Sequence, residues 1–242
     1  MSRTAIISDI HANQPALEAV LRDIEHLQCN QIACLGDIVG YNANPSECLE
    51  IIKSLNCPII KGNHDEEAAS DSNPKGMNPI AYQALMWTRQ QLSEEQKEWL
   101  RRLRMVRNVP PFTIVHATLD QPALWHYIVN KFDATSNFNF QFTNMCFHGH
   151  THVPKIFIFE QGSAQEYLAT DFCPDPAQKY FINVGSVGQP RDNDWRAAYA
   201  VYDSDTNAVY FRRVEYDLQE AQKRIIDAGL PVALAERLAK GV

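Results

Sequence analysis

The chain has 242 residues, 45% of them hydrophobic, and a formal net charge of -7. That length and apolar content suit one α/β or sandwich domain covering residues 1–242. The acidic balance and the lack of a Lys/Arg run argue against strong nonspecific nucleic-acid binding, and no apolar run approaches the ~18 residues that span a bilayer. Met1-Ser2-Arg3-Thr4 leads straight into a strand, without the pattern of a secretory signal. Ala5-Ile6-Ile7 predicts that strand, and residues 15–27 a helix, with Leu17, Val20, Leu21, Ile24 and Leu27 at helical spacing. Pro15 suits the helix's first turn and Asn13 its N-cap. Ile32-Ala33-Cys34-Leu35 reads as the second strand. Asn44-Pro45 opens a helix with Cys48, Leu49, Ile51, Ile52 and Leu55 on one face, and Pro58-Ile59-Ile60 reads as a third strand. This βαβαβ start implies a parallel sheet with right-handed crossovers.

Residues 71–79 read as a polar loop. Helices are expected over 80–92 and 94–103, the second with a Ser93/Gln96 capping box. Phe112-Thr113-Ile114-Val115 resumes the strands, and the aromatic-rich stretch 122–142 reads as short helices over one rim. The later chain is mainly β: 145–147, 156–159, 180–184, 197–202 and 208–215, the last two joined by a turn at Tyr202–Asn207. A helix is expected at 217–228, and 231–240 admits another. Two packed sheets with helices outside is the expected architecture. The six cysteines, Cys29, Cys34, Cys48, Cys57, Cys146 and Cys173, form no Cys-x-x-Cys pair and read as free thiols of a cytoplasmic protein.

Five polar clusters each follow an apolar run: Asp9-Ile10-His11, Gly36-Asp37, Gly62-Asn63-His64-Asp65, Val115-His116 and Gly149-His150-Thr151-His152. Ligands gather at the carboxyl ends of strands in open α/β sheets, so this placement brings distant side chains to one rim. A carboxylate such as Asp37 can bridge two cations. Two cations roughly 3.5–4 Å apart can share a hydroxide and make it nucleophilic at neutral pH. Imidazole suits manganese, zinc, iron or nickel better than magnesium or calcium.

Any one cluster alone is more often a turn or an exposed loop than a ligand set. Five in this order resemble the calcineurin-like metallophosphoesterases, whose pattern is Asp-x-His, Gly-Asp, Gly-Asn-His-Asp/Glu, a lone His, then Gly-His-x-His. The stretches Ser8–Asn13 and Asn183–Asp192 resemble the compact bacterial phosphodiesterase-like and diadenosine-tetraphosphatase-like branch. The resemblance implies a four-layer αββα sandwich, metallo-dependent phosphatase-like, and two divalent transition-metal ions, manganese foremost. It implies Asp9, His11, Asp37 and His152 around the first ion, and Asp37, Asn63, His116 and His150 around the second. His64 would stand free near the leaving-group oxygen, oriented or charge-supported by Asp65. Ala12, and Ala117-Thr118, depart from the glycine and Gly-Ser common in the family.

The expected reaction is hydrolysis of a phosphodiester or nucleotide-type phosphoester by a metal-bridging hydroxide, with His64 protonating the departing oxygen. A phosphomonoesterase, including a protein Ser/Thr phosphatase, is the rival enzyme reading, and an idle scaffold the rival from another class. Asn13 and Arg191 are candidate substrate contacts. Arg191 competes with a role in which it pairs with Asp192 or Asp194 and pins its loop. His26 reads as a helix-end residue, His126 as rim, and His148 as structural or supporting the ligands. Trp87, Trp99, Phe138, Phe140 and Phe142 read as core or lid packing. Oligomeric state and physiological substrate have no sequence signature here.

Overall fold

A computed structural model describes residues 2–72, 74 and 76–242. The predicted 71–79 loop therefore includes two residues, Asn73 and Lys75, that lie outside the described residues. β1 (Arg3–Ile7) pairs in parallel with β2 (Gln31–Cys34), joined through α1 (Gln14–His26). Asn13 caps α1, its side-chain oxygen accepting the Ala16 N–H at 3.2 Å. α2 (Pro45–Ser54) follows, and the expected strand at 58–60 is reduced to single parallel bridges, Cys34 to Ile59 and Ile60 to Arg104. Its length is the reason, since the chain turns into α3 (Asn63–Ala69) within three residues of Ile60.

α4 (Pro79–Gln91) and α5 (Glu94–Arg101) fall where expected, and the Ser93/Gln96 capping box is present. β3 (Val106–Val109) then forms a hairpin with β4 (Phe112–Val115). α6 (Lys131–Thr135) is flanked by 3-10 turns at Pro122–Leu124 and Ser136–Asn139. The remaining strands are β5 (Met145–His148), β6 (Lys155–Glu160), β7 (Ser163–Leu168), β8 (Tyr180–Asn183), β9 (Ala197–Asp203) and β10 (Ala208–Val214). α7 (Leu218–Asp227) and α8 (Val232–Lys240) complete the described chain.

The strands form a four-stranded sheet, β10-β9-β1-β2, and a six-stranded sheet, β3-β4-β5-β8-β6-β7. Period-two alternation decides which layer each side chain enters. In β1, Ala5 and Ile7 join the helices while Ile6 points between the sheets. In β5 and β8, Met145, Phe147, Tyr180 and Ile182 fill the inter-sheet core. Cys146 and Phe181 face outward, where Ala134 of α6, Phe138, Leu119 and Ile128 cover them. Three cores thus separate four layers, the expected αββα order. Fully burying a phenylalanine such as Phe147 or Phe181 stabilises by about 1.5–3 kcal/mol relative to exposure.

The 122–142 segment is the outermost layer over the six-stranded sheet. Phe138 is buried there, whereas Phe140 is half exposed and Phe142 is 95% exposed, so the packing role expected for Phe142 is not what the fold gives it. Among the described residues, no helix is long and apolar enough to cross a membrane.

Candidate metal centre

The two sheets deliver the polar clusters to one point. Asp9 and His11 leave β1, and Asp37 follows β2, both from the four-stranded sheet. His116 leaves β4, and His150 and His152 follow β5, from the six-stranded sheet. Asn63 and His64 open α3, a helix the sequence did not disclose. Asp9, His11, Asp37, His150 and His152 all take positive φ, between 46° and 67°. That region costs an L-residue roughly 1–2 kcal/mol, and it lets neighbouring residues such as His150 and His152 diverge from a strand's alternation.

Each carboxylate is fixed by one oxygen and offers the other. Asp9 Oδ2 accepts from Ser8 Oγ at 2.6 Å and the His150 N–H at 3.0 Å, while Oδ1 has no hydrogen-bond partner among the described residues and lies 3.2 Å from His152 Nε2. Asp37 Oδ1 accepts the His64 N–H at 2.8 Å, leaving Oδ2 3.5 Å from His11 Nε2 and 3.3 Å from His116 Nε2.

Each imidazole is fixed from behind. Nδ1 of His11 lies 3.1 Å from the Val39 carbonyl, Nδ1 of His116 2.8 Å from that of Leu35, and Nδ1 of His152 2.5 Å from that of Gln189. A carbonyl only accepts, so each Nδ1 carries a proton and Nε2 is the atom each ring turns to the centre, a free lone pair in neutral His11 and His152 and, in His116, one that a metal ion must win from a proton. His150 is reversed, with Nε2 2.8 Å from the Trp125 carbonyl and its ring stacked on Tyr127 at 4.1 Å.

Ligand-type atoms within 4.8 Å of one another form three groups: Asp9, His11 and His152; Asp37, His116 and His150; and His11, Asp37 and His64. Asp9 Oδ1, Asn63 Oδ1, His64 Nδ1 and His116 Nε2 are all buried without a hydrogen-bond partner among the described residues. Leaving such groups unmet costs about 1–3 kcal/mol each. A divalent cation bound by oxygen and imidazole would satisfy them, so the residues fit a metal ion.

Charge in the pocket follows burial first. Burial holds His64 down to about 4 and His150 down to about 3, and lowers His11 and His152 as well, so these rings are neutral near pH 7. Burial also pulls His116 down, but Asp37 and Asp9 overcome it and lift His116 to about 9. Burial would raise Asp9 and Asp37, yet the surrounding histidines hold both below the usual carboxylate range.

Three expected roles change. Among the described residues no hydrogen bond joins the Asp65 carboxylate to the His64 ring. Asp65 Oδ1 accepts from the Ile38 and Val39 amides at 2.9 and 3.3 Å, and Oδ2 from Gly62 at 3.0 Å, so it clamps the Asp37 loop to the start of α3. Burial and then Asp37 push Asp65 up to about 7, against amide donors that favour the carboxylate. Asn13 is buried with both ends of its amide taken, the oxygen by the α1 cap and Nδ2 by the Gly188 carbonyl at 2.9 Å, so it presents nothing to a substrate. Arg191 does not pair with either neighbouring aspartate: Asp192 pairs with Arg213, and Asp194 with Arg196 at 2.7 Å.

His64 packs against His11 and Tyr41, ring centroids 4.9 and 4.5 Å away, and sits over Gly40, where any Cβ would strike its ring. His148 lies under the centre, stacked on Phe181, while His26 and His126 are exposed and outside it. Ser8, Tyr41, Trp125, Tyr127 and Gln189 touch the candidate ligands but were not singled out as site residues from sequence. Four of them act through a main-chain oxygen or a ring face, which leaves no pattern in the residue order.

The fold and donor set define a metal-binding hydrolase built on an αββα sandwich. Residues 3–207 match the calcineurin-like phosphoesterase superfamily domain, and the chain belongs to that family and is a phosphoric ester hydrolase. It is similar to an uncharacterized protein of Methanocaldococcus jannaschii, 37% identical over 99% of this chain and 98% of that one. The crystal structure of a metallophosphoesterase from Sphaerobacter thermophilus superposes with a TM-score of 0.89 at 39% identity, covering 100% of this chain and 99% of that chain. A hypothetical protein of Pyrococcus horikoshii shares the fold, with a TM-score of 0.81 at 24% identity over 100% of this chain and 99% of its own.

Proposed function

We propose that the chain, acting as one domain over residues 1–242, is a binuclear metallophosphoesterase that hydrolyses a phosphodiester or nucleotide-type phosphoester. The observation that carries this is the set of backbone-locked imidazoles. The Nε2 atoms of His11 and His116 converge on Asp37 Oδ2 and that of His152 on Asp9 Oδ1, the carboxylate oxygens turned to the centre. Asp9, His11 and His152 would hold one ion, Asn63, His116 and His150 the other, with Asp37 shared. When bound, two divalent ions, manganese foremost, supply Lewis-acid polarisation of the phosphoryl group and an activated water.

The chain's own residues do the rest. Asp37 is held by the His64 N–H so that one oxygen faces both halves of the centre. Burial lowers His64 to about 4, so in the metal-free pocket its neutral ring offers the departing oxygen a hydrogen bond, and protonating that oxygen, the role expected of it, requires the ring to be charged once substrate is bound. Gly40 and Tyr41 fix its plane. The buried free thiols Cys34, Cys48 and Cys146 suit a reducing cytoplasm.

The test is paired hydrolysis of bis(p-nitrophenyl) phosphate and p-nitrophenyl phosphate, with metal counted on the same samples. Preference for the diester and two ions per chain is the expected result. Preference for the monoester would favour a phosphomonoesterase. Turnover of neither, with any of manganese, zinc, iron or nickel, would leave the scaffold reading.

A further inference from the structure

Beside the metal centre lies a cavity of about 410 Å³ lined by Tyr41, Asn78, Ile80, Arg191, Leu234 and Arg237. Tyr41 forms the wall between the two, its ring 4.7 Å from that of His11 and 4.5 Å from that of His64. On the cavity side two guanidinium groups face the same ring, Arg191 at 5.7 Å and Arg237 at 5.8 Å from its centroid. We propose that Tyr41, Arg191 and Arg237 form a subsite for a second phosphate, so that the substrate is a phosphoester carrying at least two phosphoryl groups. This deepens the phosphoesterase reading and rests on it for the first phosphate.

The two arginines reach the cavity from separate parts of the chain, the loop after β8 and the last helix α8. Among the described residues neither pairs with an aspartate or glutamate side chain. The acidic neighbours of Arg191 are taken by Arg213 and Arg196. Arg191 Nη2 donates to Gln189 Oε1 at 2.9 Å, while its Nε is buried with no partner. Arg237 donates through Nε to the Val242 oxygen at 2.5 Å, and no hydrogen bond engages its two Nη groups among the described residues.

Two like charges gathered at one half-buried ring, in a chain of net charge -7, repel each other unless an anion joins them. Burial, and then the nearby Arg191, hold Arg237 below the ordinary arginine range although it keeps its charge, and a bound anion would offset both. A guanidinium fork matches phosphate oxygens in plane and spacing.

The placement of α8 is built in. Gly241, in the left-handed conformation at its end, lies so close to the Asp194 backbone that no Cβ fits, and its carbonyl accepts the Asn193 N–H at 2.9 Å. The helix that carries Arg237 is thereby tied to the loop that carries Arg191.

Two measurements test the subsite. The first titrates metal-stripped protein with inorganic phosphate by calorimetry, which reads the cavity without turnover. Wild type should bind phosphate at least about tenfold more tightly than Arg237→Gln or Arg191→Gln, the loss expected for one charged hydrogen-bonding partner. Melting temperatures of both variants accompany the titration, and two substitutions on separate segments guard against a local folding defect. Equal phosphate affinity in wild type and both variants would overturn the proposal, as would malonate binding as tightly as phosphate.

The second measurement uses manganese-loaded protein and compares the p-nitrophenyl ester of thymidine 5′-phosphate with the same ester bearing a 3′-phosphate. The added phosphate should raise kcat/KM by about tenfold or more, mainly through KM, and Arg237→Gln should erase that ratio. A wild-type ratio of one overturns the proposal. If neither ester is hydrolysed, the phosphoesterase reading fails, while the calorimetry still decides the subsite.

Discussion

Asp37→Asn asks whether one carboxylate serves both halves of the centre. Asp37 Oδ1 accepts the His64 N–H at 2.8 Å, and Oδ2 faces His11 Nε2 at 3.5 Å and His116 Nε2 at 3.3 Å. An asparagine must place its amide nitrogen at one of these two positions. The His64 N–H can only donate, so the amide oxygen stays beside it and the NH2 group turns to the histidines. A donor then stands where both ions need an acceptor. Substitutions that only support a ligand cost about 10–100-fold in metal affinity, so this one should cost more, and on both ions.

The same change acts without metal. Burial pulls His116 down, and Asp37 is the main force that reverses it to about 9. Neutralising that carboxylate should lower the His116 midpoint by about 1–3 pH units. Elemental analysis after dialysis against manganese counts the ions, and ring resonances of metal-stripped protein report His116. Two ions retained at wild-type affinity, or an unmoved His116 titration, would refute the shared-carboxylate geometry.

Much of the centre was legible because its donors sit at strand ends, and strand ends follow from apolar runs. Asp9, His11, Asp37, His116, His150 and His152 meet as their spacing implied, within the three ligand groups. The four layers were legible too, since Cys146 and Phe181 alternate with Met145, Phe147, Tyr180 and Ile182 between two cores. β7 was missed because Ser163–Leu168 is largely polar and only Ala164 is buried in it. α3 was missed because Gly62-Asn63-His64-Asp65 has the composition of a turn.

The role of Asp65 could not be read from adjacency to His64. A carboxylate one residue away from a histidine is as free to bind amides across the fold as to bind that ring. The φ of +55° at Ala12 gives a physical reason for glycine to be common there, although the chain tolerates alanine. Arg237 carried no signal at all. It lies on the last helix, 196 positions from Tyr41 in the sequence, and only the docking of α8 brings them together.

Three further outcomes are expected. Gly149→Ala drives a Cβ into Ser8 Oγ and Asp9 Oδ2, so it should destabilise by about 1–3 kcal/mol and reduce bound metal. An unchanged melting temperature in calorimetry would contradict that packing. His64→Ala should retain metal and lose about 10²–10⁴-fold in rate, less on esters of p-nitrophenol than on poor leaving groups. An equal loss on both would refute the donor role, and a fallen metal count would make His64 a ligand. The third concerns acid. In metal-stripped protein His64 is held down to about 4, and His148 and His150 to about 3, all by burial against an ordinary 6.5. Between pH 6.5 and about 4 the unfolded chain therefore takes up three protons that these folded rings refuse. Asp65 offsets one of them, because burial and Asp37 push it up to about 7 and it protonates earlier folded than unfolded. His116, lifted to about 9, adds stability that is fully present below pH 6.5 and lost above it, so it does not alter this window. Two net protons correspond to a fall of roughly 3 kcal/mol per pH unit, and the lowered His11 and His152 steepen it. Urea denaturation of chelator-treated protein at successive pH values measures the slope. Stability that stays flat or rises as pH falls through this window would show that the histidines are not buried neutral.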